Sequence, residues 1–106
     1  MSATENVIEE TSESAVKIYN RLTNEWVTPP GRVYVVNPAP EITGDDLIVA
    51  HRRINNVPGW VVTHAETSTA IARGATRKEA IRTAADVLGV AGRETYLKAV
   101  QSHRQR

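Results

Sequence analysis

Residues 47–88 read LIVAHRRINNVPGWVVTHAETSTAIARGATRKEAIRTAADVL, and the way this run breaks into pieces decides the fold. Its first part, 47–54, is apolar and β-branched, as an extended strand requires. Asn55-Asn56-Val57-Pro58-Gly59 then carries turn chemistry, with Pro58-Gly59 suited to the centre of a type II turn. A second strand is predicted over 60–65, a tight turn over 66–68 and a third strand over 69–73, closed by Gly74. A helix follows over 77–88. Thr76 and Glu79 have the Thr-x-x-Glu spacing in which each side chain satisfies an amide left free at the helix start. Gly89 is a suitable terminator, and a last helix is predicted over 93–103 with Tyr96, Leu97 and Val100 on its inner stripe.

Moving back toward the start, residues 1–11 lack periodicity and read as an acidic, flexible tail. Ser12 or Ser14 could cap a helix whose apolar positions Ala15, Ile18, Tyr19 and Leu22 follow helical spacing. That helix should stop near Asn24, because Pro29-Pro30-Gly31 cannot continue it. The RVYVVN run at 32–37 reads as a short edge strand, and Pro38 and Pro40 turn 38–46 into a long loop. The expected architecture is therefore α+β: an N-terminal helix and edge strand, a three-stranded antiparallel meander packed on a helix, and a short C-terminal helix. Residues 12–106 form one domain, with 47–92 as its β-β-β-α module.

The 106 residues suffice for one domain, and an apolar share of 41% is ordinary globular usage. The core must be light: the chain has no Phe, and Trp26, Trp60, Tyr19, Tyr34 and Tyr96 are its aromatic residues. Cysteine is absent, which excludes disulfides, thiol nucleophiles and cysteine-ligated metals, and fits a reducing, cytoplasmic setting. The acidic start does not read as a secretory signal, and no apolar run approaches membrane-spanning length. Charge is unevenly spread. Residues 1–46 carry three basic against eight acidic side chains, a net −5, and 47–106 carry ten against four, a net +6. Either a basic working module follows an acidic segment, or arginines merely solvate the surfaces of helix and strands.

Strand side chains alternate, so the faces of the meander depend only on whether each turn sets an odd or an even register. Turning at Pro58-Gly59, and again at Thr67-Ser68, puts Val49, His51, Arg53, Trp60, Val62, His64, Ile71 and Arg73 on one face. The other face then holds Ile48, Ala50, Arg52, Val61, Thr63, Ala65, Ala70 and Ala72, small enough to pack on Ala80, Ile81, Ala84, Ala85 and Leu88. On that reading Trp60 is exposed among His51, Arg53, His64 and Arg73, a composition suited to a partner surface. The reverse reading makes Val49, Trp60, Val62 and Ile71 the core, with arginines reaching out from its edge. Charge favours the first and side-chain volume the second.

Catalytic signatures are sparse. His64-Ala65-Glu66 has the His-x-Glu spacing of zinc deaminases, but the Cys-x-x-Cys that completes the signature cannot occur here. His51 could approach His64 and Glu66 across the hairpin as a third ligand, although strand histidines are more often plain surface residues. Nucleophile elbows, phosphate-binding glycine loops and His-Glu-x-x-His are missing. We expect no enzyme, no cofactor and no metal.

Gly59-Trp60-Val61-Val62-Thr63-His64-Ala65-Glu66, followed by Gly74-Ala75-Thr76-Arg77-Lys78-Glu79-Ala80 and Ala84, resembles the HicB antitoxin fold over residues 47–88. That family has a Gly-aromatic strand, a turn, a strand, then Gly-x-Thr-x-x-Glu-Ala-x-x-x-Ala opening a helix. Its Pro-Asp/Glu is Ala65-Glu66 here, and its turn glycine is Thr69. The resemblance implies a domain that binds a small RNase toxin, without the family's separate DNA-binding module. Gly74 to Ala80 followed by Ala84-Ala85 is also similar to the signature of double-stranded-RNA-binding domains. There the first-turn pair, Arg77 and Lys78 by position, would contact phosphates. Ala72 and Ile81 depart from that pattern, in place of a glycine and a phosphate-binding lysine.

The sequence thus points first to a small binding protein that engages a protein partner through Trp60, His51, Arg53, His64 and Arg73. The alternative is a nucleic-acid binder using Arg52, Arg53, Arg73, Arg77, Lys78 and Arg82. A structural or homodimerising role is a third reading, and no membrane is implied. Arginine, alanine and valine richness with scarce lysine suggests a high-G+C source such as a phage or mobile element.

Overall fold

A computed structural model describes the backbone of residues 7–11 and 16–104, with side chains placed over 16–102. The chain is α+β. Five antiparallel strands form one sheet in the order β1-β4-β5-β6-β7, from β1 (Val7–Thr11), β4 (Val33–Val36), β5 (Ile48–Arg52), β6 (Trp60–His64) and β7 (Thr69–Gly74). A separate hairpin of β2 (Ile18–Asn20) and β3 (Glu25–Val27) is inserted between the first two of these strands. A single helical turn, α1 (Pro40–Thr43), precedes β5, and α2 (Arg77–Arg104) follows β7. None of the helices is long and apolar enough, among the described residues, to cross a membrane.

The β5-β6-β7 meander and the start of α2 fall where the sequence puts them. Both bonds of the capping box form: Glu79 N–H donates to Thr76 Oγ1 at 3.1 Å, and Ala75 N–H to Glu79 Oε1 at 2.9 Å. Gly74 ends β7 because the helix start presses on it. A Cβ there would lie 2.6 Å from Ala80 N.

The helix expected over the stretch ending near Asn24 is instead the β2–β3 hairpin; its proposed caps, Ser12 and Ser14, lie outside the described residues. Asn20 Oδ1 accepts from Leu22 N–H at 3.0 Å, and Asn24 takes φ +60° while donating its N–H to Asn20 O at 2.7 Å. The side-chain bond from Asn20 and the left-handed φ of Asn24 close a turn and stop a helix from continuing. Residues 7–11, placed by sequence in an acidic tail, pair with β4 as edge strand β1. The two predicted C-terminal helices run on through Gly89. The break comes at Gly92, whose φ of +81° and ψ of +169° only glycine adopts readily. The loop expected over 38–46 contains α1, begun by Pro40.

Register is the largest correction. His51 pairs with Val61 and Arg52 with Trp60, an even register where both sequence readings used an odd one. Asn55 and Asn56 have φ of +63° and +61°, and Val57 N–H donates to Ile54 O at 3.3 Å. Two successive left-handed residues are what a type I′ turn needs, so the reversal centres on the asparagines rather than on Pro58-Gly59. A bulge where β6 pairs with β7 shifts the register again beyond Val62.

Two layers of packing result. Against α2 lie Val36, Ile48, Ala50, Val62 and Ala72, which meet Ala80, Ile81 and Ala84 with Tyr34, Trp60 and Ile71 at the margin. The opposite sheet face packs Val33, Val49 and Ala65 on Val16 and Ile18 at the base of the β2–β3 hairpin. The second half of α2 is held by Leu88, Tyr96 and Val100 against Ala39 and Ile42.

Candidate functional site

The even register redistributes every residue that the sequence proposed as a partner surface. Trp60 is half-buried on the helix-covered face, with its ring 6.1 Å from Tyr34 and the Arg52 guanidinium 5.0 Å above it. It is neither the exposed centre of a surface nor buried with Val49, as the two sequence readings had it. His51 and His64 are each 1% exposed and lie on opposite faces of the sheet. They share neither a surface nor a metal. Among the described residues no group of three His, Cys, Asp or Glu side chains is placed to hold an ion.

Both histidines have structural partners. His51 lies against Arg52 O through Nδ1 at 2.8 Å and Thr63 Oγ1 through Nε2 at 3.0 Å. A carbonyl can only accept, so Nδ1 carries the proton and Nε2 accepts from the hydroxyl. Burial holds the His51 pKa below its ordinary value, partly offset by the bond to Arg52. His64 Nδ1 receives Thr67 N–H at 3.3 Å and lies 2.8 Å from Thr67 Oγ1, and that hydroxyl is 2.7 Å from Thr69 Oγ1. Its Nε2 faces Asp46 Oδ2 at 3.4 Å. The order carboxylate, imidazole, hydroxyl matches a nucleophilic triad in name only. The lone pair of Nδ1 is already taken by a backbone amide, and the ring is enclosed.

Arg53 and Arg73 do come together, on the face away from α2. Val61, which pairs with both His51 and Arg73, stands between their strands, and Arg53 follows two residues after His51. The two arginines form the shared wall of two adjoining grooves of about 340 and 410 Å³. The first groove runs under the β2–β3 hairpin over Ile18, Val57, Val61 and Ala70. Asn20 and Asn55 close it by a reciprocal amide pair, at 2.9 and 3.3 Å. The second leads past Pro58 and Gly59 to Ala75, just before α2. Among the described residues no carboxylate lines either groove.

The exposed aromatic that the sequence sought at Trp60 is Trp26. It is 52% exposed, opposite Tyr19 in the hairpin with ring centroids 5.4 Å apart, and the Arg21 guanidinium stands 6.0 Å from the Tyr19 ring. Leu22 at the hairpin tip is 80% exposed. Sequence reasoning missed this surface by placing Tyr19 and Leu22 on a helix; the turn residues Asn20 and Asn24 before Glu25-Trp26-Val27 were the signal that could have found it. Of the nucleic-acid set, Arg52 is over Trp60, Arg77 lies 4.1 Å from the Tyr34 ring, and Lys78 and Arg82 are exposed on the first turns of α2. Arg52, Arg53, Arg73, Arg77 and Lys78 thus gather at the end of the sheet where β5 ends, β6 begins and α2 starts. No family model, curated protein or solved structure matches the chain.

Proposed function

We propose that this chain is a non-catalytic binding protein that docks an acidic protein partner through the β2–β3 hairpin and the cationic wall beside it. The observation that carries the reading is Trp26 and Leu22 standing exposed on the hairpin, whose Arg21 and Leu22 border the groove walled by Arg53 and Arg73. An exposed tryptophan on an aromatic pair beside an arginine is the composition of interface hot spots, and the arginines that wall the adjoining groove suit a negatively charged partner. The resemblance to HicB antitoxins, which implies a protein partner, agrees with this reading; the partner-facing residues become Trp26, Leu22 and Arg21 in place of Trp60, His51 and His64.

A photo-crosslinking residue at Leu22 should capture an acidic protein from the native source. The purified pair should lose at least tenfold in affinity on Trp26→Ala, with circular dichroism unchanged. Unchanged affinity in Trp26→Ala overturns the reading.

A second reading rests on the five cations gathered at the β5–α2 end, which suit a phosphate backbone. In that case affinity for duplex or single-stranded oligonucleotides falls steeply with log salt, and replacing Arg77 and Lys78 together flattens the slope by about two ions. No binding at low salt ends it.

A further inference from the structure

The wall shared by the two grooves holds the two guanidinium groups of Arg53 and Arg73. Arg53, just past the end of β5, and Arg73, on β7, stand on either side of β6 and share a lining with Gly59. Gly59 is held at φ +111°, where Arg53 N–H donates to its carbonyl at 3.1 Å. A Cβ there would stand 3.0 Å from Gly74 O and 3.6 Å from Arg53 Cδ. The floor between the arginines is therefore bare by necessity. Two like charges facing one gap repel each other, and an anion seated between them would turn that repulsion into attraction.

We infer that this gap is the head-group site of a small organic phosphate whose body lies in the groove under the β2–β3 hairpin. A tetrahedral phosphate, with its terminal oxygens spread in three directions and up to two negative charges, serves two guanidinium forks arriving from different directions better than a planar, singly charged carboxylate does. The adjoining groove has a body-sized volume of about 340 Å³ and an apolar floor at Ile18, Val61 and Ala70. The Asn20–Asn55 pair and the His51–Thr63 hydroxyl contact supply polar edges along it. Closure on one side by the hairpin favours a compact body over a passing chain. Arg53 and Arg73 also belong to the protein-docking reading, but Trp26, which carries that reading, lines neither groove, so the two readings are distinguished at Trp26.

The test is a titration of the purified chain with phenyl phosphate, inorganic phosphate and benzoate, followed through the arginine Nε–H signals by ¹⁵N NMR. Phenyl phosphate should saturate and shift Arg53 and Arg73 together, binding at least fivefold tighter than inorganic phosphate and tighter than benzoate. Arg53→Ala and Arg73→Ala should each weaken it at least tenfold while thermal unfolding stays near wild type. Trp26→Ala should leave it within twofold, which separates this site from the docking surface.

Equal binding of phenyl and inorganic phosphate would remove the organic body from the inference. Benzoate binding as well as phenyl phosphate would make the site a carboxylate site. Shifts confined to Lys78 and the first turn of α2, or an oligonucleotide displacing phenyl phosphate with a slope of several ions, would overturn it in favour of a nucleic-acid surface.

Discussion

His64 and Tyr96, from β6 and from the far half of α2, converge on one oxygen: Asp46 Oδ2 accepts the Tyr96 hydroxyl at 2.5 Å and lies 3.4 Å from His64 Nε2. The two rings also meet edge to face, 6.1 Å apart. Because helical geometry breaks at Gly92, the segment 93–104 needs contacts of its own to stay on the sheet. This cluster and the Arg93 bond to Ile42 O, at 2.6 Å, provide them.

Tyr96→Phe should therefore loosen 93–104 without unfolding the sheet. One hydrogen bond to a partly exposed carboxylate contributes about 1 kcal/mol. Hydrogen exchange should quicken in 93–104 while β5 and β6 keep their protection. Equal loss of protection throughout would show that the two halves of α2 unfold as one.

Gly89 and Gly74 should respond to alanine with opposite signs. Gly89 is exposed within continuous helix, and a Cβ there meets nothing within 4 Å. Gly89→Ala should then stabilise by about 0.5–1 kcal/mol, since glycine loses more backbone freedom on helix formation. Gly74→Ala forces a Cβ to 2.6 Å from Ala80 N and should destabilise by about 1–3 kcal/mol. Chemical denaturation of both variants reads the two signs in one experiment.

Acid should weaken the fold through His51. Its pKa is lowered by burial, so between the folded value and the ordinary 6.5 the unfolded chain binds the proton more readily. The stability held by the neutral ring is complete above about pH 7 and is lost as pH falls through that window. The thermal midpoint should be flat from pH 8 to 7 and drop below 6.5, and His51→Gln should flatten the drop. An identical slope in the variant would assign the effect to other groups.

What was legible in the sequence was local. Thr76 and Glu79 announce the start of α2 because each bonds a neighbour within four residues, and the strands of the meander announce themselves by β-branching. What was not legible depended on parity and length. Two-residue turns at Asn55-Asn56 and at Pro58-Gly59 would give the same faces. What reverses every side chain of β6 is the extra residue, Pro58, that lets Arg53 meet Gly59 across the loop 54–58. Composition does not announce it, so His51, His64 and Trp60 could not be assigned to faces from the sequence. Strands of three residues, such as β2 and β3, have no period to read. Ala15, Ile18, Tyr19 and Leu22 fitted a helix equally well until Asn24 turned the chain. Arg53 and Arg73 kept a common face through both errors, because each is adjacent to a turn and the bulge at β7 compensated the change of register.

The two tryptophans give the sharpest contrast between core and surface. Trp60 packs on Tyr34 and the α2-facing cluster beneath the Arg52 guanidinium, so truncation strips a half-buried ring and leaves a void beside Ala80 and Ile81. Discounting a full tryptophan deletion for partial burial, Trp60→Ala should cost about 2 kcal/mol. In a domain of this size that lowers the thermal midpoint by roughly 8–16 °C. Trp26 touches Tyr19 by one ring edge and is otherwise turned outward. Trp26→Ala should change stability by less than about 0.5 kcal/mol, as surface substitutions do. Thermal unfolding of the two variants side by side checks the assignment. If Trp26→Ala proved the more damaging of the two, the hairpin would be part of the stabilising core, and the docking surface proposed there would fall with it.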